Sequence, residues 1–243
     1  MKQTRLIMGM PITIEIVDDV DERYFGDVFD YFIRIDNRFS TYKPTSEISQ
    51  INHGLPKDKW SKDMVEVFDL CQETKLLTDG YFDISHDGKL DPSGLVKGWA
   101  INHAANLLLD RRVRNFYVEA GGDIQAHGLN ANGSPWEVGI RNPFDTTEII
   151  KVLLITDQAV ATSGTYIRGQ HIYNPHDDGA IGSVKSLTVI GANIFDADRF
   201  ATAAFAMGAG GVAFIEATKG LEGYSVDERK IATYTSGFER YMA

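Results

Sequence analysis

Three shortages bound what this chain can be. It has one cysteine, Cys71, in 243 residues, which excludes an internal disulfide and any zinc or iron–sulfur centre built on several thiolates. Basic residues are outnumbered, 24 against 34 acidic, leaving a formal charge of −10. A chain without a cationic field cannot displace the counterions of a phosphate backbone, which argues against a general nucleic-acid binder. No stretch approaches the ~18 consecutive apolar residues of a membrane span. The start, MKQTRLIMGMPITIEIV, is interrupted at Pro11, Thr13 and Glu15, and no small-residue cleavage site follows. A soluble, cytoplasmic protein is the expectation. Familiar chemical templates are missing too: the G-x-x-x-x-G-K-[ST] phosphate loop, the G-x-G-x-x-G dinucleotide turn, the H-E-x-x-H zinc helix and the G-x-S-x-G elbow.

What is present is an ordinary globular balance, 43% hydrophobic and 24% charged, in a length that suits one large domain or two intimate subdomains. No repeat, low-complexity stretch or linker divides the chain, so one compact unit over residues 1–243 is the simplest reading. Residues 12–17 alternate as a half-buried strand, and Phe25, Val28, Phe32, Ile35 and Phe39 recur at helical spacing. Ser46 and Ser61 stand where helix caps belong, the second before an inner face carrying Met64, Phe68 and Cys71. That places Cys71 as an inert core residue. A helix is expected from about Lys97 to Asp110, then strands over 116–118, 136–140, 152–155 and 187–190. Helices over 198–207 and 212–219 and a hairpin over 224–234 complete the pattern, with Gly208 to Gly211 read as a helix stop and tight turn. Strands and helices mix without strict βαβ alternation, so the fold class is α+β.

Four clusters could carry chemistry. Asp91-Pro-Ser-Gly-Leu-Val-Lys-Gly98 is an acidic loop entering a helix with a lysine in its first turn, where the helix N-terminus favours anions. Glu119-Ala-Gly-Gly-Asp123 reads first as a bulge or turn between two strands, its final acid able to cap or to contact a polar ligand. Ala161-Thr-Ser-Gly-Thr-Tyr166 and His171-Ile-Tyr-Asn-Pro-His176 combine small hydroxyls with histidine. In Asp198-Arg-Phe-Ala-Thr202, Asp198 and Thr202 share one helix face at i and i+4 and offer hard oxygens suited to Mg²⁺ or Ca²⁺. A cap reading of Asp198 stands beside that one.

Taken together and in order, these clusters resemble the FAD:protein FMN transferases, the ApbE-type flavin transferases. The likeness runs through Met8-Gly9, Phe39 to Asn52, Asp79-Gly-Tyr-Phe-Asp-Ile-Ser85, Asp91 to Gly98, Glu119 to Asp123, Trp136 to Pro143, Ala161 to Gly164, His171 to Pro175 and Ala197 to Thr202. The resemblance implies a single ApbE-like domain that cleaves the pyrophosphate of FAD. Its FMN would pass to a Thr or Ser hydroxyl of a target flavoprotein through a phosphoester bond, releasing AMP. It implies Mg²⁺ held by Asp198, Thr202 and the Gly94 carbonyl. It also implies FAD contacts from Met8, Tyr42, Tyr81, Phe82, Asp83, Asp91, Lys97 and Ile172, with Asn52 at a position that sets the balance between retention and hydrolysis. His171 is the candidate base for the acceptor hydroxyl, and Asp83 and Asp91 are its alternatives.

The chain departs from the family pattern at several points. Met10 stands where a threonine is common, Asn174 where an aspartate is typical, and Pro92 where a leucine is usual. Asp83 and Asp91 are separated only by residues 84–90, where many relatives carry a long segment. These departures keep two alternatives open: an FAD pyrophosphatase giving FMN and AMP, and a non-catalytic FAD-binding protein. Neither the acceptor nor the oligomeric state is legible in the sequence.

Overall fold

The computed structural model describes residues 1–86, 88–164, 172–176 and 184–243. In chain order the elements begin with strands β1 (Lys2–Ile7) and β2 (Met10–Ile16), then helices α1 (Arg23–Phe39), α2 (Glu47–Asn52) and α3 (Lys62–Leu77). A small hairpin, β3 (Ser85–His86) and β4 (Lys89–Leu90), leads into α4 (Ser93–Asp110). Strands β5 (Phe116–Ala120), β6 (Asp123–His127), β7 (Trp136–Asn142), β8 (Asp145–Ile155), β9 (Ala159–Gly164) and β10 (Val184–Gly191) follow. The chain then forms α5 (Ile194–Ala206), α6 (Gly211–Ala217), β11 (Glu222–Asp227) and β12 (Ala232–Tyr234). Eight strands make one sheet in the order β1-β2-β5-β6-β9-β10-β11-β12, antiparallel at every pairing. This is the α+β class expected, in one connected unit. Among the described residues no helix is long and apolar enough to cross a membrane.

The side-chain period of two decides the layers. Ile12, Ile14 and Ile16 on β2, Phe116 and Val118 on β5, and Leu187 and Val189 on β10 face a layer of helices and form the larger core with Phe25, Phe29, Phe32 and Leu108. The alternate residues Ile124, Val160, Ile190 and Tyr224 face the other way, onto the β7–β8 hairpin and Phe238. Strand β9, with Ala159 and Ala161 in the first core and Val160 in the second, is therefore apolar on both faces.

Several boundaries move relative to the sequence reading. Helix α4 starts at Ser93, a full turn before Lys97, because its entry is set by Pro92 and the Asp91 side chain, which accepts from the Ser93 amide at 2.9 Å. Helix α5 starts at Ile194: Asn193 accepts from the Asp196 amide and Gln125 from the Ile194 amide, both at 2.8 Å. Asp198 therefore lies inside the helix and is released from capping. The sequence reading marks no strand over Lys2–Ile7, whose exposed charged residues suit a sheet edge. Cys71 is 3% exposed in the core, as expected, and burial pushes its thiol up to about 12.

Candidate active site

Two helices that meet across a glycine create the floor of the site. A Cβ on Gly98 of α4 would stand 2.6 Å from Asp198 Cβ and 2.8 Å from the Ile194 carbonyl, so only glycine allows α4 and α5 this close. The approach lets the Gly98 amide donate to Asp198 Oδ2 at 2.7 Å across 100 residues of chain. Asp198 Oδ1 is 3.3 Å from Lys97 Nζ. One turn further along the same two helices, Thr202 Oγ1 donates to the Gly94 carbonyl at 3.3 Å. Arg199, the residue after Asp198 on α5, is tied to Asp196, Glu73 and Thr74 and locks that helix to α3.

The end of the sheet supplies a third acid. Gly121 and Gly122 turn between β5 and β6 with φ +60° and +99°, a two-residue hairpin turn in the left-handed region. The turn expected from Glu119 to Asp123 is thus present, and it delivers Asp123 into the helical layer. Asp123 is 1% exposed; its Oδ1 accepts from the Thr162 amide at 3.0 Å. Its Oδ2 stands 2.5 Å from Lys97 Nζ, an ion contact without a well-aligned hydrogen bond. Burial pushes the Asp198 carboxyl up to about 7; the Lys97 ammonium opposes that shift and the Asp123 carboxylate reinforces it.

Above this floor opens a cleft of about 950 Å³. One wall is the 81–91 segment with the β3–β4 hairpin. Asn52 fixes that wall by a pair of hydrogen bonds to Leu90, Nδ2 donating to its carbonyl and Oδ1 accepting from its amide, each 2.9 Å. The side chain mimics a neighbouring strand. Asp83 accepts from Lys75 Nζ at 2.7 Å and from the Ser85 amide at 2.9 Å, so both its oxygens are engaged. Residues 172–176 close against the same wall: Tyr173 donates to the carbonyls of Asp83 and Ser85, and His176 Nε2 lies 2.7 Å from the Asp79 carbonyl. Tyr81 meets the His176 ring edge-on, with Phe82 and Ile172 buried behind. Tyr42 stands at the rim, 96% exposed.

The structure thus brings together Tyr42, Asn52, Tyr81, Phe82, Asp83, Asp91, Gly94, Lys97, Ile172, Asp198 and Thr202 around one cleft. Met8 is not among the lining residues; it occupies the β1–β2 turn with φ +56° and packs on the core at the same end of the sheet. His171 lies outside the described residues, as do Thr165 and Tyr166. Asn174, where an acid was typical, accepts from the His176 amide at 3.0 Å as a turn residue. The sequence reading missed Tyr173, whose role depends on a contact 88 to 90 residues away. It also underrated Asp123, whose burial beside Lys97 no local spacing reveals.

Gly94, Asp198 and Thr202 offer a carbonyl, a carboxylate and a hydroxyl, all hard oxygens converging from two helices. Such a set suits a cation that keeps several waters, as Mg²⁺ does. Among the described residues no group of three or more His, Cys, Asp or Glu is arranged to hold a metal.

Comparisons with known proteins point to one family. A family model described as the ApbE family matches residues 8–88 and 85–225. Its two matches meet at the β3–β4 hairpin. The chain is 34% identical over 129 residues to the FAD:protein FMN transferase of Vibrio cholerae, covering 49% of this chain and 39% of that protein. It is 29% identical over 144 residues to the FAD:protein FMN transferase of Salmonella typhimurium, covering 55% and 39%. The matched stretch thus spans about two fifths of the length of these curated relatives. Among solved structures, a flavin transferase ApbE from Vibrio cholerae superposes with a TM-score of 0.88 at 22% identity, covering 99% of this chain and 98% of that one. An ApbE protein from Thermotoga maritima gives 0.88 at 20%, covering 100% and 99%. These two likenesses show the fold.

Proposed function

The chain belongs to the ApbE family, and from that premise we propose that it transfers FMN from FAD to a Ser or Thr hydroxyl of an acceptor flavoprotein. The acceptor oxygen would form a bond to the FMN phosphorus, the pyrophosphate P–O bond would break, and AMP would leave with the bridging oxygen. The hydroxyl proton passes to a base on this chain. The observation that carries the reading is the oxygen set of Gly94, Asp198 and Thr202 at the floor of a cleft with Tyr42 and Tyr81 on its walls.

A protein at −10 repels a pyrophosphate unless a cation is recruited locally. Mg²⁺ bound by Asp198, Thr202 and the Gly94 carbonyl would neutralise phosphate oxygens and stabilise the departing AMP. Gly98 and Lys97 hold the Asp198 carboxylate in place for that task. Tyr42, free of packing, is available to lie on the isoalloxazine ring. Asn52 keeps the wall beside Asp83 and Asp91 in register with α2. Because both oxygens of Asp83 already have donors, His171 is the preferred base, with Asp91 second.

The test is to incubate the protein with FAD, Mg²⁺ and candidate acceptor domains and to weigh the acceptor intact. An FMN-sized increment that disappears in Asp198→Ala supports the proposal. AMP release at a rate indifferent to every acceptor would instead identify a pyrophosphatase, and FAD bound without AMP release would identify a carrier.

A further inference from the structure

Helix α2 turns one face to the cleft. Ser49, Asn52 and His53 stand at i, i+3 and i+4, the spacing that sets side chains on one side of a helix, and all three line the cavity. Asn52 is committed to the wall, with Nδ2 and Oδ1 both bonded to the Leu90 main chain. His53, the residue that ends the helix, is differently placed. It is exposed, and its Nδ1 lies 2.6 Å from the Ser49 carbonyl one turn back. A carbonyl oxygen can only accept, so Nδ1 carries a proton and donates. In the neutral ring the lone pair then belongs to Nε2. Among the described residues Nε2 has no hydrogen-bond partner. The tie to Ser49 also restricts the ring, so this acceptor is held at the cleft wall before any ligand arrives.

We propose that His53 Nε2 accepts a hydrogen bond from a ring N–H of the bound dinucleotide, and so reads one of its heterocycles. The inference rests on the FAD reading given above. FAD offers that chemistry twice, as the imide N–H of the isoalloxazine and as the exocyclic amine of adenine. Its phosphate oxygens only accept, and would meet the Nε2 lone pair with no proton between them. The surroundings suit a flat ring, since Tyr42, Tyr81 and Leu90 line the same cavity. Two adjacent residues thus divide the work of one helix turn: Asn52 holds the wall and His53 meets the ligand.

The experiment compares three probes by isothermal titration calorimetry, on the full chain with Mg²⁺ and no acceptor at pH 8. They are FAD, FAD methylated at the flavin imide nitrogen, and flavin hypoxanthine dinucleotide, in which a carbonyl replaces the adenine amine. Wild type should bind one of the two analogues roughly threefold to tenfold more weakly than FAD, the span of one neutral hydrogen bond. The analogue that loses affinity identifies the ring. His53→Ala should bind FAD about as weakly as wild type binds that analogue, and should bind the two within about twofold of each other. Circular dichroism checks the fold of this variant. If it fails, His53→Phe, which keeps a ring without nitrogen, is held to the same criteria. Equal binding of all three probes by wild type overturns the inference and needs no variant. So does discrimination that persists without His53, the result expected if the imidazole only props the end of α2 through Ser49. A wild-type chain that binds none of the three fails the FAD reading itself; FAD binding with either overturning result fails only the present inference.

Discussion

Replacing Gly98 by alanine should force α4 and α5 apart at the floor of the cleft. The new methyl would sit 2.6 Å from Asp198 Cβ, 2.8 Å from the Ile194 carbonyl and 2.9 Å from Asp198 Oδ2, and the carbonyl belongs to backbone that cannot swing aside. Overpacking of this kind costs about 1–3 kcal/mol. Separation of the helices also weakens the Gly98–Asp198 hydrogen bond, and a bond to a charged acceptor contributes about 1.5–3 kcal/mol. Alanine's better helix propensity returns about 1 kcal/mol. The net expectation is a loss of roughly 2–4 kcal/mol. For a chain of this size that lowers Tm by about 5–15 °C. Gly26 provides the control: it lies in the interior of α1, and a Cβ there meets nothing within 4 Å. Gly26→Ala should be neutral or stabilising by about 0.5–1 kcal/mol. Urea unfolding of both variants, followed by circular dichroism, reads the contrast. If Gly98→Ala is as stable as Gly26→Ala, the claim that a glycine seam sets the Asp198 geometry is wrong.

Asn52→Ala should release the Leu90 amide and carbonyl at a cost of about 1–3 kcal/mol for two neutral hydrogen bonds; hydrogen exchange at Leu90 should accelerate while the α1 core stays protected. Tyr42→Ala should leave Tm unchanged, since the side chain is 96% exposed. Under the proposed function it should raise the KM for FAD by roughly threefold to tenfold, the range of one aromatic contact, and an unchanged KM would remove Tyr42 from the proposed flavin site. His127 tests the acid limb of stability. Burial holds its imidazole below the ordinary value of 6.5 despite Asp157 nearby. The unfolded chain therefore takes up a proton before the folded one, and stability falls as pH drops through and below about 6.5. His127→Asn should lose less stability than wild type between pH 7.5 and pH 5.5, measured by urea midpoints; parallel curves would contradict the assignment.

The parts of the fold legible in the sequence are those written in short-range periods. The apolar face of α1 from Phe25 to Phe39 follows the helical repeat, and Ser46 and Ser61 cap α2 and α3 as read, each accepting a backbone amide three residues on. The Asp198–Thr202 pair was visible for the same reason, being one turn apart on one helix. The helix starts were less legible. Pro92 has no capping side chain, and α5 is capped in part by Gln125 from a distant strand. The Asp123–Lys97–Asp198 arrangement was beyond sequence reasoning because sheet register and the α4–α5 crossing, set by the whole core, bring those residues together. The Asn52 clamp on Leu90 was hidden likewise: its hydrogen bonds go to main chain, and a main-chain partner leaves no signature in side-chain types.

The attachment of residues 172–176 shows what such main-chain partnership allows. Tyr173 reaches the carbonyls of Asp83 and Ser85, and His176 the carbonyl of Asp79. On the wall side, the atoms that take these hydrogen bonds are the same for all twenty amino acids. The wall can therefore exchange the side chains it shows to a substrate, at 83 or 85, without unfastening the segment that leans on it. Side chains at 83 and 85 are thereby separated from part of the attachment, whereas the rings of Tyr81 and His86, which meet His176 and Tyr173, are committed to it.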